Sequence, residues 1–517
     1  MRLGWLGLVC GLAWPGAAWA GLKMPALFSD HMVMQAGQAT PVWGEAEAGE
    51  VITVTLVDEK GVAQGSASGA ADEKGAWRVK LPVLTAGVAG RLLVEEAKSG
   101  KKEIADVVVG EVWLGGGQSN MSYRVGSTGV AAETLVEASE EAKVAQGAIR
   151  YFMTDTADTD EPQRDVPGKW VVAAPENVKK CSAVAWYFGV ALHEKLKVPV
   201  GLIVSAYAGT PVEAWMPKEA LDGTSVATAL RKRHEAAMAK VLNQAGTKPG
   251  AGGDDEVAAG AQGGTLRDAL LKREPNRLYN GMVAGLGDYA IKGVIWFQAD
   301  GNIAVPEEYG ELIQALIKAW RKQWGTELPF YYVEMNDMHE PQSAAWEPKR
   351  EAMARIREQQ GAALKLPKTA VVAAIDLGKV NNPTANAHFP VKKPVGDRLA
   401  NVAFKEVYGI PMGEIYSPEY TGYVVEGDKV RLHFAHAEGL RAVGEGEVKG
   451  FILQNEKGAW VWAEGKIEGT DIVVWSAEAP KPRDVRYAWA SNPVTSIENG
   501  AGLPLRPFRA TLEGDGR

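Results

Sequence analysis

The sequence predicts an α/β protein, with one domain built on a parallel sheet and set between two β-rich segments. Two observations carry this. Short continuous apolar runs at 107–114, 198–204, 293–297, 330–335 and 369–375 are interleaved with stretches of helical spacing. Strands that alternate with helices imply a parallel sheet covered on both faces. Before residue 106 and after about 410 the runs give way to strict alternation of apolar and polar residues, the mark of half-solvated antiparallel strands.

The first 20 residues are expected to be a leader rather than fold. Arg2 precedes an apolar run over 3–14, Pro15-Gly16 breaks it, and Ala18-Trp19-Ala20 fits a small-x-small cleavage site. The run is too short for a membrane span, and no later segment is apolar enough for one. Export to the periplasm or beyond the cell, with cleavage near Ala20, is therefore the expectation. Losing Arg2 would take the net charge from −8 by one to −9, which argues against nucleic acid or an acidic membrane as partner. Of the two cysteines, Cys10 would leave with the leader. Cys181 then has no partner for an internal disulfide and no companion for a Cys-based metal site. The seven histidines lack metal-ligand spacing, and His433 and His436 have opposite parity on an alternating run. No metal or cofactor is expected.

Residues 21–105 read as a small β-sandwich, with a β-branched strand over 51–56 and an alternating one over 77–81. Helical spacing follows at 182–196, again near 312–320 with Leu312, Leu316 and Trp320 on one stripe, and at 351–364. Residues 218–275 interrupt the pattern. A charged helix around 230–242 runs into a Gly/Ala-rich stretch over 245–264, read as a linker-like insertion rather than a site. From 411 to 517 the chain returns to β, with alternation at 429–434, 472–475 and 485–489.

In open parallel sheets ligands bind beyond the carboxyl ends of the strands. Four residues fall there. Ser119 follows three consecutive glycines in Gly117-Gln118-Ser119-Asn120-Met121. Gly209 lies in Ala208-Gly209-Thr210, Asn302 in Gln298-Ala299-Asp300-Gly301-Asn302, and His388 in Asn386-Ala387-His388-Phe389-Pro390. Taken singly, each is more often a cap, a turn or a packed residue. As a set they supply what acyl transfer requires: a nucleophile in Ser119, a base in His388, and donors to an oxyanion in the Ser119 and Gly209 N–H groups and the Asn302 amide. On the same loops Gln118, Glu213, Trp215 and Gln298 are the expected substrate contacts, with Trp215 as an aromatic wall for a sugar ring and Glu213 accepting from a hydroxyl.

Several motifs extend this reading: Leu27-Phe28-Ser29-Asp30-His31-Met32-Val33-Met34-Gln35, Gly110-Glu111-Val112-Trp113-Leu114 leading to Gly117–Met121, Leu278-Tyr279-Asn280-Gly281-Met282, and Val485-Arg486-Tyr487-Ala488-Trp489 with Gly502-Leu503-Pro504. On these the sequence resembles the sialate O-acetylesterases of the SGNH/GDSL hydrolase superfamily. The resemblance implies an SGNH-hydrolase-like three-layer domain over 106–410, flanked by β-sandwiches at 21–105 and 411–517. It also implies Ser119 as nucleophile, Gly209 and Asn302 in the oxyanion hole, His388 as base, and metal-free cleavage of O-acetyl esters from sugars, especially sialic acid. The chain departs from the family's pattern in three places. Ala208 stands where Gly is usual, and 298–302 reads Gln-Ala-Asp-Gly-Asn in place of Gln-Gly-Glu-Ser-Asn. The aspartate expected two or three residues before the histidine is replaced by Asn386 and Ala385. Asp376 is a candidate substitute, with Asn386 as an uncharged one. An acetyl xylan or other polysaccharide deacetylase with the same site, and a glycan-binding protein with a decayed centre, are the alternative readings.

Overall fold

The computed structural model describes residues 22–97, 100–127, 129–244, 266–378, 387–444 and 446–512. The leader, the whole Gly/Ala-rich stretch over 245–264, Ala385 and Asn386 lie outside the described residues.

The strand Gly100–Gly117 organises the molecule. Its amino half pairs antiparallel with Ala89–Glu96, which pairs in turn with Val51–Asp58. Its carboxyl half lies parallel between Val200–Ala206 and Gly293–Phe297. The boundary expected at 105/106 therefore falls inside one continuous strand. The change of pattern in the sequence is real, but it records burial. The first half shows one face to solvent, whereas residues 108–117 are buried on both faces. Beyond these neighbours the sheet continues as Thr369–Val372, Phe330–Val333 and Gly293–Phe297 on one side, and as Val200–Ala206, Ile149–Thr154 and Gly168–Val172 on the other. Only the last of these runs antiparallel to its neighbour.

Successive side chains of the central strand point to opposite faces, and helices cover both. On one face Trp113 meets Phe188 of the helix Ala183–Leu196 with ring centroids 5.0 Å apart. That helix starts where Ser182 Oγ accepts from the Ala185 N–H at 3.2 Å. The helix Lys393–Glu406 packs against it so closely that a Cβ at Gly396 would lie 2.6 Å from Tyr187 Cβ. On the other face Trp320, from the Tyr309–Trp324 helix, stands edge-on to Trp296 at 5.5 Å, as the Leu312/Leu316/Trp320 stripe predicts.

At the carboxyl end two four-stranded antiparallel sheets share one core. Phe434, Leu432 and Val474 come from one sheet and Phe451, Val485 and Phe508 from the other. Arg357 fastens this unit to the α/β part: its buried guanidinium donates to the carbonyls of Met335 and Asn336 on one side and of Ala490 and Ser491 on the other. Of the three tryptophans that the β-rich segments would place in their cores, Trp77 and Trp489 are both 2% exposed, whereas Trp475 is only partly buried. Among the described residues no helix is long and apolar enough to cross a membrane, and no group of three or more His, Cys, Asp or Glu side chains is arranged to hold a metal.

Candidate active site

Gly117 stands opposite Ala206 and Phe297 in the parallel ladders, so three loops leave the sheet side by side at its carboxyl edge. Backbone crowding there demands glycine. Gly117 has φ +133°, and a Cβ on it would lie 2.2 Å from the Phe297 carbonyl oxygen. Gln118 N–H donates to that same oxygen at 3.0 Å, and the Tyr207 N–H to the Gly117 carbonyl at 3.1 Å. Ser119 then opens the single helical turn Ser119–Ser122, half-buried. Gln118, only 2% exposed, sits between loops. Its Nε2 lies 3.4 Å from Ser119 Oγ, and its Oε1 accepts from the Gly301 N–H at 3.2 Å.

The second and third loops are clipped together. Gly209 adopts φ +73°, and its carbonyl accepts from Arg273 Nη1 at 2.6 Å, while Arg273 Nη2 donates to the Gly301 carbonyl at 3.0 Å. Lys272 Nζ holds the neighbouring Ala208 carbonyl at 2.9 Å. Asn302 is fixed in orientation: its Oδ1 accepts from the Val212 N–H and from Gln298 Nε2, both at 2.9 Å. Its Nδ2 donates to Glu213 Oε2 at 2.7 Å. Burial raises the Glu213 carboxyl above its ordinary range, against the opposing pull of Asn302 and Arg273. Burial likewise pushes Asp300 up to about 6, although the Gly301 N–H, Arg273 and Gln118 favour its ionised form.

His388 reaches this edge from the other side. Asn120, next to Ser119, donates through Nδ2 to the Ala387 carbonyl at 2.9 Å, and Phe389 packs against Phe297 with centroids 6.4 Å apart. The ring keeps much of its surface open. Even so, the protein around it and then the nearby Lys392 ammonium lower its pKa, which favours the neutral imidazole.

Four expected site residues play other parts. Both Asp376 oxygens are taken by Arg398, from Nη1 at 2.9 Å and Nη2 at 2.6 Å, so this carboxylate is an ion-pair residue rather than the support of His388. Trp215 is 0% exposed. The turn Val212–Trp215 folds it inward, where Nε1 donates to Thr210 Oγ1 at 3.0 Å and the ring stands edge-on to Trp296. It is core, with no face open to a sugar. Gln298 is also 0% exposed and braces Asn302 and the Thr210 carbonyl from behind the wall. Glu213 accepts from Asn302, not from open solvent.

Sequence reasoning passed over Arg273, Asp300, Asn120 and Lys392. Arg273 hid in the segment read as an insertion. The lysine in Phe389-Pro390-Val391-Lys392 carried a faint signal, a charge in an apolar run four residues after His388.

Residues 257–405 match the family described as carbohydrate esterase, sialic acid-specific acetylesterase. That match contains Asn302 and His388 and begins after Ser119 and Gly209. The chain is 27% identical over 436 residues to a sialate O-acetylesterase of Pongo abelii, covering 78% of this chain and 75% of the relative. The corresponding protein of Homo sapiens gives the same identity and coverage. Among solved structures, a carbohydrate acetylesterase from Xanthomonas citri superposes with a TM-score of 0.77 at 28% identity, covering 95% of this chain and 99% of that one.

Proposed function

We propose that this chain, which resembles the sialate O-acetylesterase family through most of its length, is a carbohydrate O-acetylesterase working through a serine acetyl-enzyme in an SGNH-type domain. The observation that carries the reading is the bracing of three loop ends around Ser119 by Gln118, Arg273, Gln298 and Glu213. Preorganised donors of this kind are what an acyl-transfer transition state requires.

Ser119 Oγ attacks the acetyl carbonyl carbon while the His388 imidazole takes its proton. The oxyanion that forms is met by the N–H groups of Ser119 and Gly209 and by the Asn302 amide. An amide nitrogen has two N–H groups, and Glu213 uses one, which leaves the second for substrate. Collapse of the tetrahedral intermediate breaks the C–O bond to the sugar, and the imidazolium returns the proton to the departing sugar oxygen. Water, deprotonated by the same imidazole, then attacks the acetyl-enzyme and releases acetate and free Ser119. Neutral His388 is the working form. Its depressed pKa places the acid limb of kcat/KM below the ordinary histidine value of 6.5. The expected substrate is an acetylated sialic acid or a related glycan, met outside the cytoplasm if the leader functions as read.

The test is acetate release from 9-O-acetyl sialic acid and from acetylated xylan, measured side by side, with fluorophosphonate labelling of the same preparation. Wild-type chain should release acetate and label at Ser119, and Ser119→Ala should do neither. Full activity in Ser119→Ala sinks the mechanism, and an unlabelled, inactive wild type returns the decayed glycan-binding protein.

A further inference from the structure

Lys392 is a buried amine with no counter-ion among the described residues. It is 1% exposed, and no carboxylate among the described residues lies within ion-pair distance of it. Its Nζ sits 3.3 Å from the centroid of the Phe389 ring, 5.0 Å from that of Tyr123 and 5.8 Å from that of Phe297. Among the described residues it donates one hydrogen bond, to Asn120 Oδ1 at 2.6 Å. Removing an ammonium from water is strongly unfavourable unless it is paired. The aromatic faces offset only part of that through cation–π attraction. Accordingly burial holds this lysine well below the usual range.

What the lysine touches gives it a use. Asn120 is the residue after Ser119, and while its Oδ1 accepts a hydrogen bond from Lys392 Nζ, its Nδ2 donates to the Ala387 carbonyl at 2.9 Å. The lysine demands an acceptor and the carbonyl demands a donor, so the amide has one orientation. A single buried side chain thereby spans from the turn of the serine to the loop of the histidine. We propose that Lys392 is a positioning residue for His388, acting through Asn120 to clasp the imidazole's loop onto the Ser119 turn. The proposal rests on the reading of Ser119 and His388 as nucleophile and base.

Its charge has a second consequence, since a cation beside the loop disfavours imidazolium. Lys392 is the charged group that bears on the His388 imidazole among the described residues. Burial keeps the Tyr123 hydroxyl, whose ring the lysine faces, protonated, and the adjacent Lys393 pairs with Glu141.

Lys392→Met keeps an unbranched apolar stem in the aromatic cage, so the full chain should fold. The measurements are kcat and KM on an aryl acetate across pH, and the titration of the His388 imidazole by NMR. In Lys392→Met, kcat should fall about tenfold or more with KM nearly unchanged, and the acid limb and the imidazole titration should both move to higher pH. Asn120→Ala, which cuts the clasp but keeps the lysine, should lower kcat similarly without that rise in pH. A folded Lys392→Met with unchanged kcat and unchanged His388 titration overturns the proposal. A wild-type chain with no esterase activity overturns the reading beneath it instead, and the NMR titration then reports on the clasp alone.

Discussion

Arg398 holds both oxygens of Asp376, at 2.9 and 2.6 Å, and also donates to the Ala373 carbonyl at 2.6 Å. The pair ties the helix Lys393–Glu406 to the end of the strand Thr369–Val372. Asp376→Asn should therefore destabilise the chain by about 1.5–3 kcal/mol, the range for hydrogen bonds to charged groups, while kcat/KM of the folded variant changes only a few-fold. Loss of a triad aspartate lowers turnover by roughly 10⁴, so denaturant melts paired with rate measurements separate the two roles.

Glu213 should matter to rate through Asn302 rather than by touching substrate. Its carboxylate fixes the Asn302 amide at 2.7 Å. Asn302→Ala removes the amide proposed to meet the oxyanion and is expected to lower kcat by about 10²–10³. Glu213→Ala leaves the donor in place but unbraced and should lower kcat by a smaller factor, with KM nearly unchanged. Equal kcat in Glu213→Ala and wild type would remove the bracing role.

Asp300 gives a pH-dependent stability. Its carboxyl titrates at about 6 in the folded chain against an ordinary 3.8. Between these values the folded state binds the proton more tightly than the unfolded one, so this group's contribution to stability falls as pH rises through that window. Above pH 6 the charged, partly buried carboxylate destabilises the fold by about 2–3 kcal/mol. Asp300→Asn should thus melt higher than wild type at pH 8 and no higher at pH 3. The reverse order in thermal melts would contradict this.

Two glycines at the same edge should respond differently to alanine. Gly117→Ala places a methyl 2.2 Å from a backbone oxygen that cannot move without breaking the sheet. It should destabilise by more than about 3 kcal/mol. At Gly209 the only atoms near a new Cβ belong to the flexible end of Lys272, at 3.6 Å and beyond. The penalty there is the left-handed backbone alone, about 1–2 kcal/mol, and the variant should fold. Melting the two variants side by side checks the order.

Trp215 separates core from wall. Trp215→Ala should destabilise by about 3–5 kcal/mol. The milder Trp215→Phe, which keeps an aromatic ring in the core, should leave KM for an acetylated glycan unchanged. A KM that rises in a stable Trp215→Phe would restore the sugar-stacking role.

Much of the frame was readable from local pattern. The run 293–297 became a strand with those bounds, and the stripe of Leu312, Leu316 and Trp320 became a buried helix face, because period and burial are written in neighbouring residues. The loops bearing Ser119, Gly209 and Asn302 were legible for the same reason, since each follows such a run. Partnerships made in space were not. Nothing near Asp376 in sequence announces Arg398, 22 residues on, and nothing near Asn302 announces that Glu213, 89 residues earlier, would take its amide. The inward turn of Trp215 follows from its contact with Thr210 and Trp296, which no periodicity encodes. The strands Ile149–Thr154 and Gly168–Val172 went unnoticed because their segment carries no clear alternation.

The strand Gly100–Gly117 delivers its last residue to the turn of Ser119, while its first residues are laced to Ala89–Glu96. The hydroxyl is thus mounted on the tip of a beam whose other end is built into the amino-terminal β layers. Trimming those layers away would saw through the beam. The β segment is foundation to the Ser119 turn, and a load placed on it is felt at that hydroxyl.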